Sequence, residues 1–165
     1  MKTLLVMRHA KSSWKREDLT DHDRPLNGRG RRDAPRMGEL LVDRDLVPDL
    51  ILASTARRAR DTAMALADAC GYDGQPLLSR QLYGADPERC LSLLRQLGGD
   101  AERVLLVAHN PGMAELVDQL TDRFEDFPTA ALACIVLPIE SWDALDDTIS
   151  GDLIALWRPR ELDRA

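Results

Sequence analysis

The sequence predicts an α/β fold: three α/β/α layers with a mostly parallel central sheet, helices on both faces and an antiparallel extension at one edge. Apolar runs at residues 3–7, 50–53 and 104–108, dense in Leu, Ile and Val, read as strands buried on both faces. Stretches with helical spacing separate them, and this strand–helix alternation implies right-handed parallel crossovers. Late in the chain, runs at 132–137 and 153–157 are separated by a polar segment holding Gly151, the pattern of two antiparallel strands at a sheet edge. With 165 residues, one domain spanning 1–165 is expected. A chain of this size buries roughly 70% of the surface its unfolded form exposes, so it needs no metal or disulfide to hold it.

Each element has its own signal. Residues 10–27 are polar and highly charged, and read as a loop over the strand ends. Asn27-Gly28-Arg29-Gly30 starts a helix, with Ala34, Met37 and Leu41 at helical spacing. Pro35 lies inside that pattern, which predicts either a kink or a late start. After the second strand, Ala59, Ala63, Leu66 and Cys70 define the clearest helix, with Gly71 as its stop and Ser54 or Thr55 as its cap. Leu77-Leu78 reads as a short strand. Asp86-Pro87 pairs a cap with a first-turn proline, and the helix runs through Leu91, Leu94 and Leu97 to Gly98-Gly99. After the third apolar run, Asn110 is the expected cap and Pro111 the first residue of a helix bearing Met113, Leu116, Val117 and Leu120 on one stripe.

Composition narrows the function classes. Hydrophobic content of 44% fits an ordinary globular core. Net charge is −6 and aromatics are only 4%, against the basic face and stacking platforms that nucleic acid requires. No apolar run approaches the ~20 residues of a membrane span, and the start of the chain lacks a signal-peptide pattern. No membrane partner and a cytoplasmic location are therefore expected. Cys70, Cys90 and Cys134 are odd in number, far apart and without a CxxC pair, which suits small core residues. The chain shows no heptad pattern, so a monomer is the default.

The ends of the three strands carry the chemistry. The first ends in Arg8-His9, the second leads into Ser54-Thr55-Ala56-Arg57-Arg58, and the third ends in His109-Asn110-Pro111. In an open α/β sheet, ligands bind beyond the carboxyl ends of the parallel strands. Two imidazoles and at least two guanidinium groups would meet there, a set suited to a doubly negative phosphoryl group. A neutral imidazole has one ring nitrogen able to attack phosphorus, provided the other nitrogen holds the proton, for instance against a backbone carbonyl. Arg58 precedes a core-facing alanine in the first turn of its helix, where the helix N-terminus adds to its attraction for anions. Arg57 and Arg60 read as solvated. His9, His22 and His109 are the only histidines, and no carboxylate spacing around them suggests a metal site.

Taken together, Arg8-His9-Ala10, Arg24-Pro25-Leu26, Ser54-x-x-x-Arg58-Ala59-x-x-Thr62 and His109-Asn110-Pro111 resemble the histidine phosphatase superfamily, which includes phosphoglycerate mutases and acid phosphatases. The short length, Lys11-Ser12-Ser13-Trp14 and Arg24-Pro25-Leu26 are most similar to its SixA-type phosphohistidine phosphatases. The resemblance implies a phosphoglycerate mutase-like fold and a metal-independent phosphohydrolase without cofactor. It makes His9 the phosphorylated nucleophile, Arg8 and Arg58 the ligands of the phosphoryl oxygens, and His109 the group that steadies the transition state. Arg24, Ser13 and Asn110 are implied substrate-binding residues. Two departures stand out. Ala10 replaces a glycine common in the superfamily, for which a slight backbone adjustment is expected. The segment Leu82-Tyr83-Gly84-Ala85-Asp86 lacks the glutamate that serves many relatives as proton donor, leaving Asp21 and Asp23 as candidate acids. An ester leaving group needs such an acid more than a protonated phosphoramidate does, so the implied substrate leans toward phosphorylated protein histidine. A small phosphorylated metabolite and a non-catalytic phosphate-binding module are the alternatives.

Overall fold

The computed structural model describes residues 1–163. Six strands form one sheet in the order β3-β2-β4-β1-β5-β6. They are β1 (Lys2–Arg8), β2 (Leu50–Ser54), β3 (Leu77–Ser79), β4 (Arg103–Ala108), β5 (Leu132–Leu137) and β6 (Asp152–Trp157). Pairings among β1, β2, β3 and β4 are parallel; β5 runs antiparallel to β1, and β6 antiparallel to β5. The expected mostly parallel sheet with an antiparallel edge is what forms.

Strand residues alternate between two cores, as the period of two requires. Leu4, Val6, Leu52, Val104 and Leu106 face α3 (Pro87–Leu97) and α4 (Gly112–Thr121), where Leu91, Leu94, Leu116 and Trp142 fill the layer. Leu5, Met7, Ile51, Ala53, Leu105 and Val107 face α1 (Gly28–Asp43) and α2 (Arg57–Cys70), against Met37, Leu41, Ala63 and Leu66. Burying each such Leu, Ile or Met contributes about 1.5–3 kcal/mol before chain entropy is counted. The two helices on this side cross closely at Gly38, where an added Cβ would lie 2.6 Å from the Leu66 carbonyl oxygen. A short helix, α5 (Pro159–Leu162), follows β6. All three cysteines are buried and free.

Helix starts follow the sequence in two places and depart from it in two. Asn27 caps α1 by accepting from the Gly30 N–H at 2.9 Å, and Asp86 caps α3 by accepting from the Arg89 N–H at 2.9 Å. With that cap in place, α1 starts at Gly28 and runs through Pro35, so the late start is not taken. Neither Ser54 nor Thr55 caps α2; the residue before the helix is Ala56, without a side-chain cap. The strand continues through Ser54, and both hydroxyls turn to histidines instead. Helix α4 begins at Gly112 rather than Pro111. The cap position falls to Pro111, and Asn110, one residue earlier, accepts from the Ala114 N–H through its Oδ1 at 3.2 Å.

Candidate active site

Register sets the central pair. Arg8 of β1 lies opposite Ala108 of β4, so the next residues on these neighbouring strands are His9 and His109. Adjacent strands are about 4.8 Å apart, and the two imidazole centroids are 5.2 Å apart. The His9 N–H donates to the Ala108 carbonyl at 2.9 Å and continues the ladder by one step. From the other side, the Ala130 N–H donates to the His9 carbonyl at 3.0 Å. Ala130 takes a left-handed φ of 63° and is fully buried. Such a conformation costs a side-chain-bearing residue on the order of 1 kcal/mol and persists only where its surroundings enforce it.

His9 is oriented as an attacking base. Its Nδ1 lies 2.7 Å from the Ala10 carbonyl oxygen. A carbonyl only accepts, so Nδ1 carries the proton and Nε2 keeps its lone pair. Burial, with smaller contributions from His109, Arg58 and Arg8, lowers the His9 pKa to about 3 against the pull of the Ala10 carbonyl. The ring is therefore neutral at physiological pH. Ala10 is fixed in turn: its N–H donates to Thr62 Oγ1 at 3.0 Å, and Thr62 Oγ1 donates to the Arg58 carbonyl at 2.6 Å. Thr62 follows Arg58 by one helical turn, so α2 holds both the cation and the turn that bears His9. Ala10 is fully buried and has no positive φ, so replacing glycine here imposes no strain.

His109 is lowered to about 4, first by burial and then by Arg58. Its Nε2 lies 2.8 Å from Ser54 Oγ, which accepts from the Ala56 N–H at 3.2 Å. If the Ser54 hydroxyl donates onward to Nε2, His109 Nδ1 carries the remaining proton. That Nδ1 is buried and lacks a protein partner, as are Arg8 Nε and Arg58 Nε. Among the described residues, the one other buried side-chain nitrogen left this way is Arg103 Nε, at the opposite end of β4. Buried polar atoms are seldom orphaned. Three such nitrogens, on Arg8, Arg58 and His109, cluster around His9.

Arg58 is buried, while Arg57 and Arg60 stay at the surface. Its fork holds the Asp21 backbone carbonyl at 2.7 Å and Asp21 Oδ2 at 3.0 Å. Asp21 also accepts from the Tyr83 hydroxyl at 2.6 Å and from Arg24 Nε at 3.2 Å. The Tyr83 bond and these arginines hold the Asp21 carboxyl down at about 2. It is ionised at neutral pH and has no proton to donate. Asp23 is exposed and accepts from Thr20 Oγ1 at 3.2 Å. Of the two candidate acids, Asp21 is thus committed to the Arg58 fork in its ionised form.

The implied substrate-binding residues are also engaged elsewhere. Arg24 is buried beneath Trp14, its guanidinium carbon 3.4 Å from the ring centroid, with Nη1 at 3.5 Å from the Ser13 carbonyl. Ser13 Oγ accepts from the Lys15 N–H at 3.1 Å. Asn110 Nδ2 donates to the Phe127 carbonyl at 2.8 Å. Tyr83 is the residue that sequence reasoning passed over. Its ring packs edge-on against His109 at 5.5 Å and against His22 at 5.0 Å. Its one signal was being the aromatic in the segment where a glutamate was expected.

Residues 4–82 match the pattern of the histidine phosphatase superfamily (branch 1). A structure from Agrobacterium tumefaciens, assigned as the phosphohistidine phosphatase SixA, is 30% identical, with 96% of this chain and 99% of that one aligned and a TM-score of 0.77. The chain belongs to the histidine phosphatase superfamily. This histidine phosphatase also shares its fold with the protein histidine phosphatase SixA complexed with tungstate, at TM-score 0.82 and 22% identity over 97% and 99% of the two chains. Mycobacterial glucosyl-3-phosphoglycerate phosphatase has the same fold, at TM-score 0.71 and 20% identity over 95% and 98%. Among the described residues, no group of three His, Cys, Asp or Glu side chains is placed to hold a metal ion, and no helix is long and apolar enough to cross a membrane.

Proposed function

We propose that this phosphatase removes phosphoryl groups from phosphorylated histidine on a protein, without a metal, through a phosphorylated His9. The observation that carries the proposal is the set of orphaned donors on Arg8, Arg58 and His109 beside the free Nε2 of His9. In the first step, His9 Nε2 attacks phosphorus, a new P–N bond forms, and the bond to the substrate nitrogen breaks. Arg8 and Arg58 bind the phosphoryl oxygens, and His109 donates to the oxygen that gains charge. In the second step, water attacks the phosphorylated His9, its P–N bond breaks and inorganic phosphate leaves. Preorganised donors at developing charge are typically the largest catalytic contribution in such sites.

The substrate class follows from the leaving group. Asp21 is ionised and residues 82–86 hold no glutamate, so neither supplies a proton to a departing alkoxide. A phosphohistidine leaves as an imidazole that has already gained its proton, so it needs no such acid. The likeness to a phosphatase of a sugar phosphoglycerate favours a second reading, a small phosphorylated metabolite.

The test is turnover of an activated aryl phosphate in chelator, followed by a search for acid-labile, base-stable phosphate on His9. Phosphohistidine peptide and alkyl phosphates are then compared by kcat/KM. We expect turnover to survive chelation, His9 to be labelled, and the peptide to exceed alkyl esters. Faster alkyl esters would favour the metabolite reading. Absence of both turnover and label would leave only a phosphate-binding module.

A further inference from the structure

A cavity reached through Arg8, the residue before His9, has charged walls that are all cationic. Its volume is about 270 Å³, and Arg8, Lys11, Arg29 and Arg160 line it together with Pro128 and Thr129. That is room for several water-sized groups, enough for a carboxylate or a phosphate. The clustering runs against the chain's net charge of −6. Elsewhere some exposed arginines find carboxylates, as Arg16 does with Asp18, Arg57 with Asp61 and Arg123 with Glu125, while Arg31, Arg32, Arg44, Arg80 and Arg89 make no ion pair among the described residues; what sets this cluster apart is that four cations line one cavity. Among the described residues, Lys11 and Arg160 make no ion pair, and Arg29 reaches only Asp33, at 3.5 Å. Asp126 is the acidic group felt by Arg8.

The cavity is held in place by the backbone. The Lys11 carbonyl accepts from the Asn27 N–H at 3.0 Å and lies against Gly30, where an added Cβ would sit 2.1 Å from it. Glycine at this helix position thus seats the Lys11 main chain on the first turn of α1, beside Arg29. On the opposite wall, Arg158 donates to the Asp126 carbonyl at 2.9 Å and fixes the start of α5, which bears Arg160. Arg8 is common to both sites: it adjoins His9 in the chain, and its buried Nε is unpaired.

We propose that this cavity is a second anion subsite. It takes a carboxylate or phosphate carried by the same molecule whose phosphoryl group enters at His9, and Arg8 spans the two. The assignment rests on the phosphatase reading above and narrows it to substrates bearing a second oxyanion. Such an anion comes either from a small metabolite with two acidic groups or from acidic side chains flanking a phosphorylated histidine.

The experiment compares the wild type with the double variant Lys11→Gln, Arg160→Gln, neither residue belonging to the phosphoryl pocket. Turnover of p-nitrophenyl phosphate, which has no second anion, should be unchanged between them. Against that turnover, phosphonoacetate and phosphonobutyrate should inhibit the wild type about 10-fold more tightly than methylphosphonate, the ~1.4 kcal/mol of one charge-assisted hydrogen bond. The advantage should vanish in the variant. A phosphohistidine peptide with flanking aspartates, compared with one without, forms the second arm. A gain confined to the phosphonocarboxylates assigns a metabolite, and a gain confined to the acidic peptide assigns a protein. No gain in either arm, or a gain that survives the double substitution, overturns the subsite. Calorimetry on the same samples separates the two readings: binding that retains the carboxylate advantage in a wild type without turnover sinks the phosphatase reading and leaves the subsite standing.

Discussion

Lowering the pH from 7 to 5 probes the state of the histidine pair. An imidazole at its ordinary value of 6.5 would be only about 3% neutral at pH 5. Burial among cations brings His9 to about 3 and His109 to about 4, which keeps them about 99% and 90% neutral at that pH. The nucleophile should therefore stay available well into acid. The assay is an NMR titration of the free enzyme, with ring signals assigned through His9→Asn and His109→Asn. It is paired with the rate of His9 phosphorylation, corrected for the substrate's own ionisation near pH 6. Neither ring should titrate above about pH 5, and the corrected rate should be flat from pH 7 to 5. A midpoint between 6 and 7 for either ring would refute the reasoning. The same shifts link to stability. Between about pH 6.5 and 3 the unfolded chain binds protons that the folded chain refuses. This contribution is complete above pH 6.5 and is lost as pH falls through that window. The urea midpoint should therefore drop from pH 7 to pH 5. Adding inorganic phosphate should raise both histidine midpoints, since a bound anion favours the imidazolium.

Other substitutions give separate readings. Arg58→Ala should lower kcat by roughly 10²–10³-fold, and Arg58→Lys should recover little because an ammonium lacks the planar fork; an unchanged rate removes Arg58 from the site. Ser54→Ala strips the hydroxyl that joins the Ala56 N–H to His109 Nε2, and should cost about 1–2 kcal/mol in a urea melt together with several-fold in kcat. Full activity there would mean that His109 needs no orientation from Ser54. Gly30→Ala drives a Cβ into the Lys11 carbonyl, and thermal unfolding should report a loss of about 1–3 kcal/mol.

Much of this was legible in the sequence because buried parallel strands write themselves as unbroken apolar runs. Strands β1, β2 and β4 were placed that way, and their carboxyl ends delivered His9, Arg58 and His109 to one region. Asn27 and Asp86 announced their helices because a cap acts on residues three positions away. What failed to show depends on pairings between distant segments. Tyr83 meets Asp21 across 62 residues, and Ser54 meets His109 across 55. Locally, Ser54 looks like a cap and Asp21 like a solvated loop acid. Only the folded loop turns the first into a histidine partner and the second into an ionised brace for Arg58. Arg24 hid its burial for a related reason: it follows a charged loop, yet its guanidinium is buried beneath Trp14.

The His9–His109 spacing is a by-product of two strands lying side by side, so the reactive geometry is as durable as the sheet itself. Changes in connecting segments that do not touch the turn held by Ala130 and Thr62 should leave that spacing in place. A lineage built on this scaffold is free to trade one phosphorylated molecule for another while the bond-breaking apparatus passes down unaltered.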